Sequence, residues 1–214
     1  MNIRFILIVL IHCLFLGKPV GANTEDRVHL IISWDLSDSM RYDGPVNWAQ
    51  AGAVFFNEYF SRYQSRCQIV TVDLISWGLQ AFPPVHVVLS SRDESDQLAD
   101  FASKISRFKH DGTSPRSGML HANSLVVPGY DRTVIIFISD AGVVGGDNRD
   151  LWSMVSETTD FIGVSLTGEL SSVYIGTNIV PKGKRHYHAE TVPVFNDILK
   201  MVLDQIGYDH CKVS

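Results

Sequence analysis

The chain has 214 residues, and its 18 lysine and arginine residues against 23 aspartate and glutamate residues give a net charge of −5. Nucleic-acid binding needs a basic patch for the phosphates, which an acidic chain without basic clusters does not supply. The same balance argues against electrostatic binding to anionic lipid.

The first 22 residues have the layout of a secretory signal peptide. Arg4 supplies a positive charge, residues 5–16 form an apolar run broken by one histidine, and the tripeptide Val20-Gly21-Ala22 follows. The apolar run, at about a dozen residues, is shorter than the roughly 20 that span a bilayer. We expect cleavage after Ala22 and a secreted or periplasmic location. Cleavage would remove Arg4 and Lys18 and change the net charge from −5 to −7.

Residues 23–214 have the size of one domain with a substantial core. No later apolar run is long enough to predict a membrane span. Two cysteines, Cys67 and Cys211, remain in this part, an even number in an oxidising compartment. Their spacing leaves one disulfide or two free thiols equally open.

The rest of the chain alternates apolar runs with amphipathic ones. Apolar runs predict strands at 28–34, 68–77, 85–89, 133–138 and 161–166, with a short last strand at 187–190. Helical spacing predicts helices at 46–63, 94–108, 151–158 and 192–206, and a short one with Pro115 in its first turn.

This alternation predicts an α/β fold with a doubly wound, mostly parallel sheet and helices on both faces. The link between 68–77 and 85–89 is too short for a helix, so this pair should form an antiparallel edge. Such folds bind ligands beyond the carboxyl ends of the strands, where the strand order reverses. We expect 28–34 and 133–138 to be neighbours at that point.

Oxygen-bearing side chains follow both of these strands. The first strand leads into Asp35, Ser37 and Ser39, and the other leads into Asp140; Thr113 follows a glycine before a predicted helix. Hard oxygen ligands of this kind suit Mg²⁺, Mn²⁺ or Ca²⁺ and not zinc or copper. Each aspartate alone would be read as a turn or a helix cap. The convergence of all five residues at strand ends favours a metal site.

The pattern Asp-x-Ser-x-Ser, then Thr after Gly, then Asp after a buried strand resembles the metal-ion-dependent adhesion site of von Willebrand factor A domains. The chain looks most like an uncharacterised family of secreted bacterial single-domain proteins of this type. The resemblance implies that Ser37 and Ser39 ligate the metal directly and that Asp35 and Asp140 bind it directly or through water. Thr113 would exchange between these two modes.

Two departures from the family pattern leave these ligands in place. Asp38 replaces a small residue inside the triplet, and Ala141 stands where a glycine often follows the aspartate. The resemblance also places Cys67 and Cys211 on the face opposite the metal, which favours their pairing.

The resemblance implies metal-dependent binding of a protein or peptide whose acidic residue completes the coordination, and not an enzyme. The alternative is Mg²⁺- or Mn²⁺-dependent phosphoester hydrolysis at the same site, although no general base or second set of metal ligands accompanies it. His186 and His188 would face one side of a strand. They indicate either a second metal site without a third ligand or a solvated basic loop.

Overall fold

The computed structural model describes residues 27–41, 46–62, 69–89, 92–105, 112–140 and 148–208. The predicted signal peptide with its cleavage site lies outside these ranges, as do Cys67, Cys211 and Ala141. Cleavage after Ala22 and the state of the two cysteines therefore stay predictions. Within the described ranges, no helix combines the length and the apolar character needed to cross a bilayer.

A six-stranded sheet forms the centre of the domain. Its strands are β1 (Arg27–Asp35), β2 (Ile69–Trp77), β3 (Val85–Leu89), β4 (Arg132–Ser139), β5 (Thr159–Leu166) and β6 (Arg185–Ala189). They lie in the order β3-β2-β1-β4-β5-β6. β3 pairs antiparallel with β2, and the other neighbouring strands pair in parallel. The predicted mostly parallel sheet with one antiparallel edge strand is confirmed.

The strand order reverses between β1 and β4. The chain runs outward from β1 through β2 to β3 and then returns to form β4 on the other side of β1. β1 and β4 pair from Val28 opposite Arg132 to Trp34 opposite Ile138. The two strands predicted to flank the ligand-binding edge are therefore neighbours, and the residues that follow them start from the same edge of the sheet.

The α-helices in the described ranges are α1 (Trp48–Arg62), α2 (Arg92–Ile105), α3 (Pro115–Ser124), α4 (Glu169–Tyr174) and α5 (Val192–Tyr208), and they cover the sheet. Helices α1, α2 and α5 share one core with Leu30 and Ile32 of β1. Helices α3 and α4 share the other core with Ile31. Because β1 is buried on both faces, its sequence is a continuous apolar run and not an alternating one.

Two glycines allow helices to pack directly on buried tryptophans. A Cβ on Gly52 of α1 would lie 2.6 Å from the Trp34 ring, and a Cβ on Gly118 of α3 would lie 2.5 Å from the Trp77 ring. Both tryptophans are fully buried. The distance of α1 and α3 from the sheet is therefore set by the absence of a side chain at these two positions.

The segment between β4 and β5 differs from the prediction. The predicted α-helix at 151–158 is a 3₁₀ helix, Arg149–Met154, and β5 already begins at Thr159. Between them Ser156 and Thr158 form a turn in which their hydroxyls are 2.9 Å apart. This local side-chain pairing competes with helical hydrogen bonding, so the helical prediction is wrong over its second half.

Two further differences lie near the end of the chain. Helix α4 and the π-helical turn Ile175–Ile179 that continues it have no counterpart in the prediction. Two apolar residues of α4, Leu170 and Val173, are mostly exposed, so the segment lacks a clean amphipathic pattern. The last strand, Arg185–Ala189, begins two residues earlier and ends one residue earlier than the predicted range 187–190.

Candidate metal centre

The loop that follows β1 is held in place by its apolar residues. Leu36 and Met40 are fully buried, and the Leu36 N–H donates to the Trp77 carbonyl at the end of β2, 2.8 Å away. Asp38–Met40 then form one turn of 3₁₀ helix. Because the apolar side chains fix the loop from below, the polar side chains between them have defined positions at the edge of the sheet.

A continuous chain of hydrogen bonds joins four of the five predicted ligands. The Ser37 N–H donates to Asp35 Oδ1 at 2.9 Å, and the Ser37 and Ser39 hydroxyl oxygens are 3.1 Å apart. The Ser39 hydroxyl in turn donates to Asp140 Oδ1 at 2.9 Å. Residues that are about 100 positions apart in the sequence therefore meet at the carboxyl ends of β1 and β4.

Ser139 supports this arrangement from beneath. Its hydroxyl donates to Asp35 Oδ2 at 2.7 Å, and the contact is buried. Ser139 was not among the residues predicted from the sequence. The available signal was its position: Ser139 ends β4 beside Asp35, which ends the neighbouring β1.

The Asp35 carboxyl has an unusual electrostatic environment. Its side chain is completely buried, and burial together with the nearby Asp140 carboxylate raises the pKa of Asp35 to about 7. Hydrogen bonds from Ser139 and Ser37 lower the pKa in part. Two carboxylates thus lie at the two ends of one short hydrogen-bonded chain, an arrangement that a positive charge would stabilise.

Thr113 lies at the same edge of the sheet but outside the hydrogen-bonded chain. Gly112 adopts a positive φ of 61°, and the Ser114 N–H donates to the carbonyl of Gly78, directly after β2, at 2.9 Å. Ser114 then accepts from the Ser117 N–H and caps α3. Within the described part of the chain, the Thr113 hydroxyl makes no hydrogen bond to the other four residues.

A buried polar cluster within the strands was not predicted from the sequence. Asp73 of β2 lies between His29 of β1, at 2.6 Å from Nε2, and His86 of β3, at 2.9 Å from Nδ1. Burial alone would raise the pKa of Asp73, but the hydrogen bonds and positive charge of the two histidines outweigh it and lower the pKa. The signal was a polar residue inside each of three apolar strand patterns.

His186 and His188 lie on the same side of β6, as predicted. Both pack on Ser165, whose Oγ is 2.9 Å from His186 Nε2 and 2.9 Å from His188 Nδ1. Burial and the neighbouring His188 lower the pKa of His186. The two rings are therefore partly buried on β5, so the interpretation as a solvated basic loop is wrong for them.

No group of three or more histidine, cysteine, aspartate or glutamate side chains in the described ranges is placed to hold a metal ion. The candidate set around Asp35 is of another kind, because most of its members are hydroxyl groups and only two are carboxylates. Its oxygen chemistry fits a hard divalent cation.

No protein-family model and no curated protein matches the chain. Solved structures do match. An aerotolerance-related membrane protein from Bacteroides fragilis NCTC 9343 has 13% identity and a TM-score of 0.59, over 84% of this chain and 99% of that chain. A von Willebrand factor type A structure from Catenulispora acidiphila has 11% identity and a TM-score of 0.59, over 83% and 42%. The pilus adhesin SpaC from Lactobacillus rhamnosus GG has 10% identity and a TM-score of 0.65, over 87% and 31%.

At these identities the likeness concerns the fold. The chain has a von Willebrand factor A-like α/β fold. It spans nearly all of the solved Bacteroides fragilis chain and less than half of the other two chains.

Proposed function

We propose that the chain is a secreted, metal-dependent protein-binding module. A divalent cation, Mg²⁺ or else Mn²⁺ or Ca²⁺, would be held by five side chains: Asp35, Ser37, Ser39, Thr113 and Asp140. The cation would leave one coordination position for an acidic side chain of a protein or peptide partner.

The observation that carries the proposal is the hydrogen-bonded chain from Asp35 through Ser37 and Ser39 to Asp140. It brings four hard oxygen donors together at one edge of the sheet. The raised pKa of Asp35 has burial and a second carboxylate as its main causes, so a bound divalent cation would supply the charge that keeps both groups ionised.

Binding and an extracytoplasmic location are supported by two kinds of observation. The N-terminal pattern around residues 5–16 is that of a signal peptide. Among the structures of similar fold, one is described as a membrane protein and one as a pilus adhesin. Both descriptions concern proteins that act at a membrane or a cell surface, and the proposal assigns the same setting to this chain.

Metal binding is tested first, by calorimetric titration of Mg²⁺ into the full chain expressed for export. The Asp35→Asn variant should bind Mg²⁺ at least about tenfold more weakly than wild type, because it removes a charged ligand. Asp38→Asn is the matched control, since Asp38 lies in the same loop but is exposed. Equal affinities in wild type and Asp35→Asn would contradict the proposal. The mass of the exported chain shows whether cleavage follows Ala22.

Partner binding is tested with the immobilised chain in Mg²⁺ and in EDTA. A partner captured in Mg²⁺, released by EDTA and lost in Ser39→Ala would support the module. Turnover of a generic phosphoester in Mg²⁺ or Mn²⁺, abolished by Asp140→Ala, would instead support the hydrolase alternative.

A further inference from the structure

Arg41 is a buried arginine directly after the turn Asp38–Met40. Arg41 is 7% exposed, and its Nε and Nη2 atoms are both buried without a hydrogen-bond partner. Burying an ionised group without a partner is strongly unfavourable. Because the fold as described leaves this cost uncompensated, the guanidinium is the side chain whose chemistry calls for an additional ligand.

The two unpaired nitrogens form one edge of the guanidinium plane. Arg132 uses the same edge to hold a carboxylate, because its Nε and Nη2 donate to Asp160 Oδ2 at 2.9 and 2.7 Å. This pair of donors matches the geometry of carboxylate and phosphate oxygens. The chemistry of the missing ligand is therefore that of an oxyanion.

Arg41 lies two positions after Ser39, a predicted ligand of the candidate metal centre. The Arg41 N–H donates to the Asp38 carbonyl at 3.0 Å and closes the turn that carries Ser39. Two peptide units join the Cα atoms of Ser39 and Arg41, so these atoms are at most about 7.6 Å apart. The small remaining exposure suits a small ion or one side chain and not an extended surface.

We propose that the Nε–Nη2 edge of Arg41 binds an oxyanion. The ligand is either a small free ion such as phosphate or acetate, or the carboxylate of a partner residue. The second source rests on the proposed function, whereas the first does not. In the second case the chain would recognise an acidic side chain through a guanidinium as well as through a cation.

The first experiment measures thermal unfolding in EDTA, with sodium phosphate or sodium acetate replacing sodium chloride at constant ionic strength. Phosphate stabilises proteins generally because it is excluded from their surfaces, so the variants decide. The increase in Tm caused by phosphate or acetate should be larger by about 2 °C or more in wild type and in Arg62→Met than in Arg41→Met. Arg62 is the matched control because it is an exposed arginine. Equal shifts in all three proteins would overturn the proposal.

A second measurement covers the case in which Arg41→Met does not fold. Arg41→Lys keeps the charge but loses the paired donors. Calorimetry in EDTA should show phosphate binding to wild type and at least about tenfold weaker binding to Arg41→Lys. No phosphate or acetate binding to wild type, or unchanged affinity in Arg41→Lys, would overturn the proposal for a free ion.

A third experiment distinguishes a free ion from the carboxylate of a partner residue. A blocked tripeptide with a central glutamate is titrated in Mg²⁺ and in EDTA against wild type, Arg41→Lys and Asp35→Asn. Tighter binding of this peptide than of acetate, weakened by Arg41→Lys, indicates a partner side chain. Loss in Asp35→Asn alone, with Arg41→Lys unchanged, supports the metal centre and overturns the role of Arg41.

Discussion

The Ser139 hydroxyl donates a 2.7 Å hydrogen bond to Oδ2 of the fully buried Asp35. The two residues end neighbouring strands, β4 and β1, and each is directly connected to the candidate metal centre. Asp35 is itself a predicted ligand, whereas Ser139 precedes the ligand Asp140. The contact thus joins the two halves of the centre through a residue that would not touch the metal.

Ser139→Ala should weaken both the fold and the metal centre. Removal of this donor leaves a buried carboxylate oxygen without its partner, which costs about 1–3 kcal/mol. Loss of a residue that orients a metal ligand typically reduces metal affinity by about 10–100-fold. Urea unfolding in EDTA and Mg²⁺ calorimetry measure the two effects. Ser153→Ala, at an exposed position, is the control and should change neither the stability nor the Mg²⁺ affinity. Unaltered Mg²⁺ affinity in Ser139→Ala would argue that the Ser139–Asp35 contact does not orient a metal ligand.

Gly118→Ala should displace helix α3. The new Cβ would lie 2.5 Å from the Trp77 ring, and Trp77 is fully buried and stacked on Phe137 at 5.1 Å. Overpacking of this kind costs about 1–3 kcal/mol, against a gain in helix propensity of up to about 1 kcal/mol. We expect a lower free energy of unfolding, measured with urea. Mg²⁺ binding should also weaken, because α3 begins two residues after Thr113.

Gly168→Ala is the matched control for this change. A Cβ at Gly168 meets nothing within 4 Å. The free energy of unfolding of the Gly168→Ala variant should therefore stay close to that of wild type. If Gly118→Ala were as stable as Gly168→Ala, the close contact between α3 and Trp77 would not limit the position of the helix.

The candidate centre could be predicted from sequence because parallel strands end at one edge of a sheet. Once 28–34 and 133–138 were identified as buried strands, the residues after them had to converge if the strands were neighbours. The structure gives that pairing. Topology therefore accounts for the proximity of the two loops, whereas the contact of Ser39 with Asp140 also depends on the turn Asp38–Met40.

The cluster around Asp73 could not be predicted in the same way. Asp73 is directly opposite His86 in the antiparallel pair, but on β1 it is Ile31 that lies opposite Asp73, so His29 reaches it diagonally. A register shift of one residue would place these side chains on opposite faces of the sheet. Apolar patterns locate a strand but do not fix its register to the residue, so the polar residues inside the three strands did not reveal that they contact one another.

Mg²⁺ should raise the thermal stability of the chain. A ligand at about 100 times its dissociation constant stabilises the native state by about 2.7 kcal/mol, which corresponds to a Tm rise of about 5–10 °C for a domain of this size. EDTA should reverse the shift. Ser37→Ala should remove most of it, whereas Ser61→Ala, at a partly exposed position in helix α1, should retain it. The same shift in Ser37→Ala as in wild type would place the cation elsewhere.

Asp73 should make stability depend on pH in the acid range. The pKa of its carboxyl is lowered from the ordinary value of 3.8, so the unfolded chain takes up the proton more readily than the native one. The carboxylate therefore contributes stability above about pH 3.8, and this contribution is lost as the pH falls through the lowered native pKa.

Asp73→Asn should cost at least about 2 kcal/mol at pH 7, because two hydrogen bonds to a buried charged group are weakened. The difference from wild type should shrink when urea unfolding is repeated below pH 3.8, where the wild-type carboxylate also becomes protonated. Asp160→Asn is the control, since the Asp160 side chain is 40% exposed in its pair with Arg132, and such pairs contribute about 0–1 kcal/mol. A difference between Asp73→Asn and wild type that stayed constant from pH 7 to pH 3 would show that the ionised carboxylate is not what stabilises this cluster.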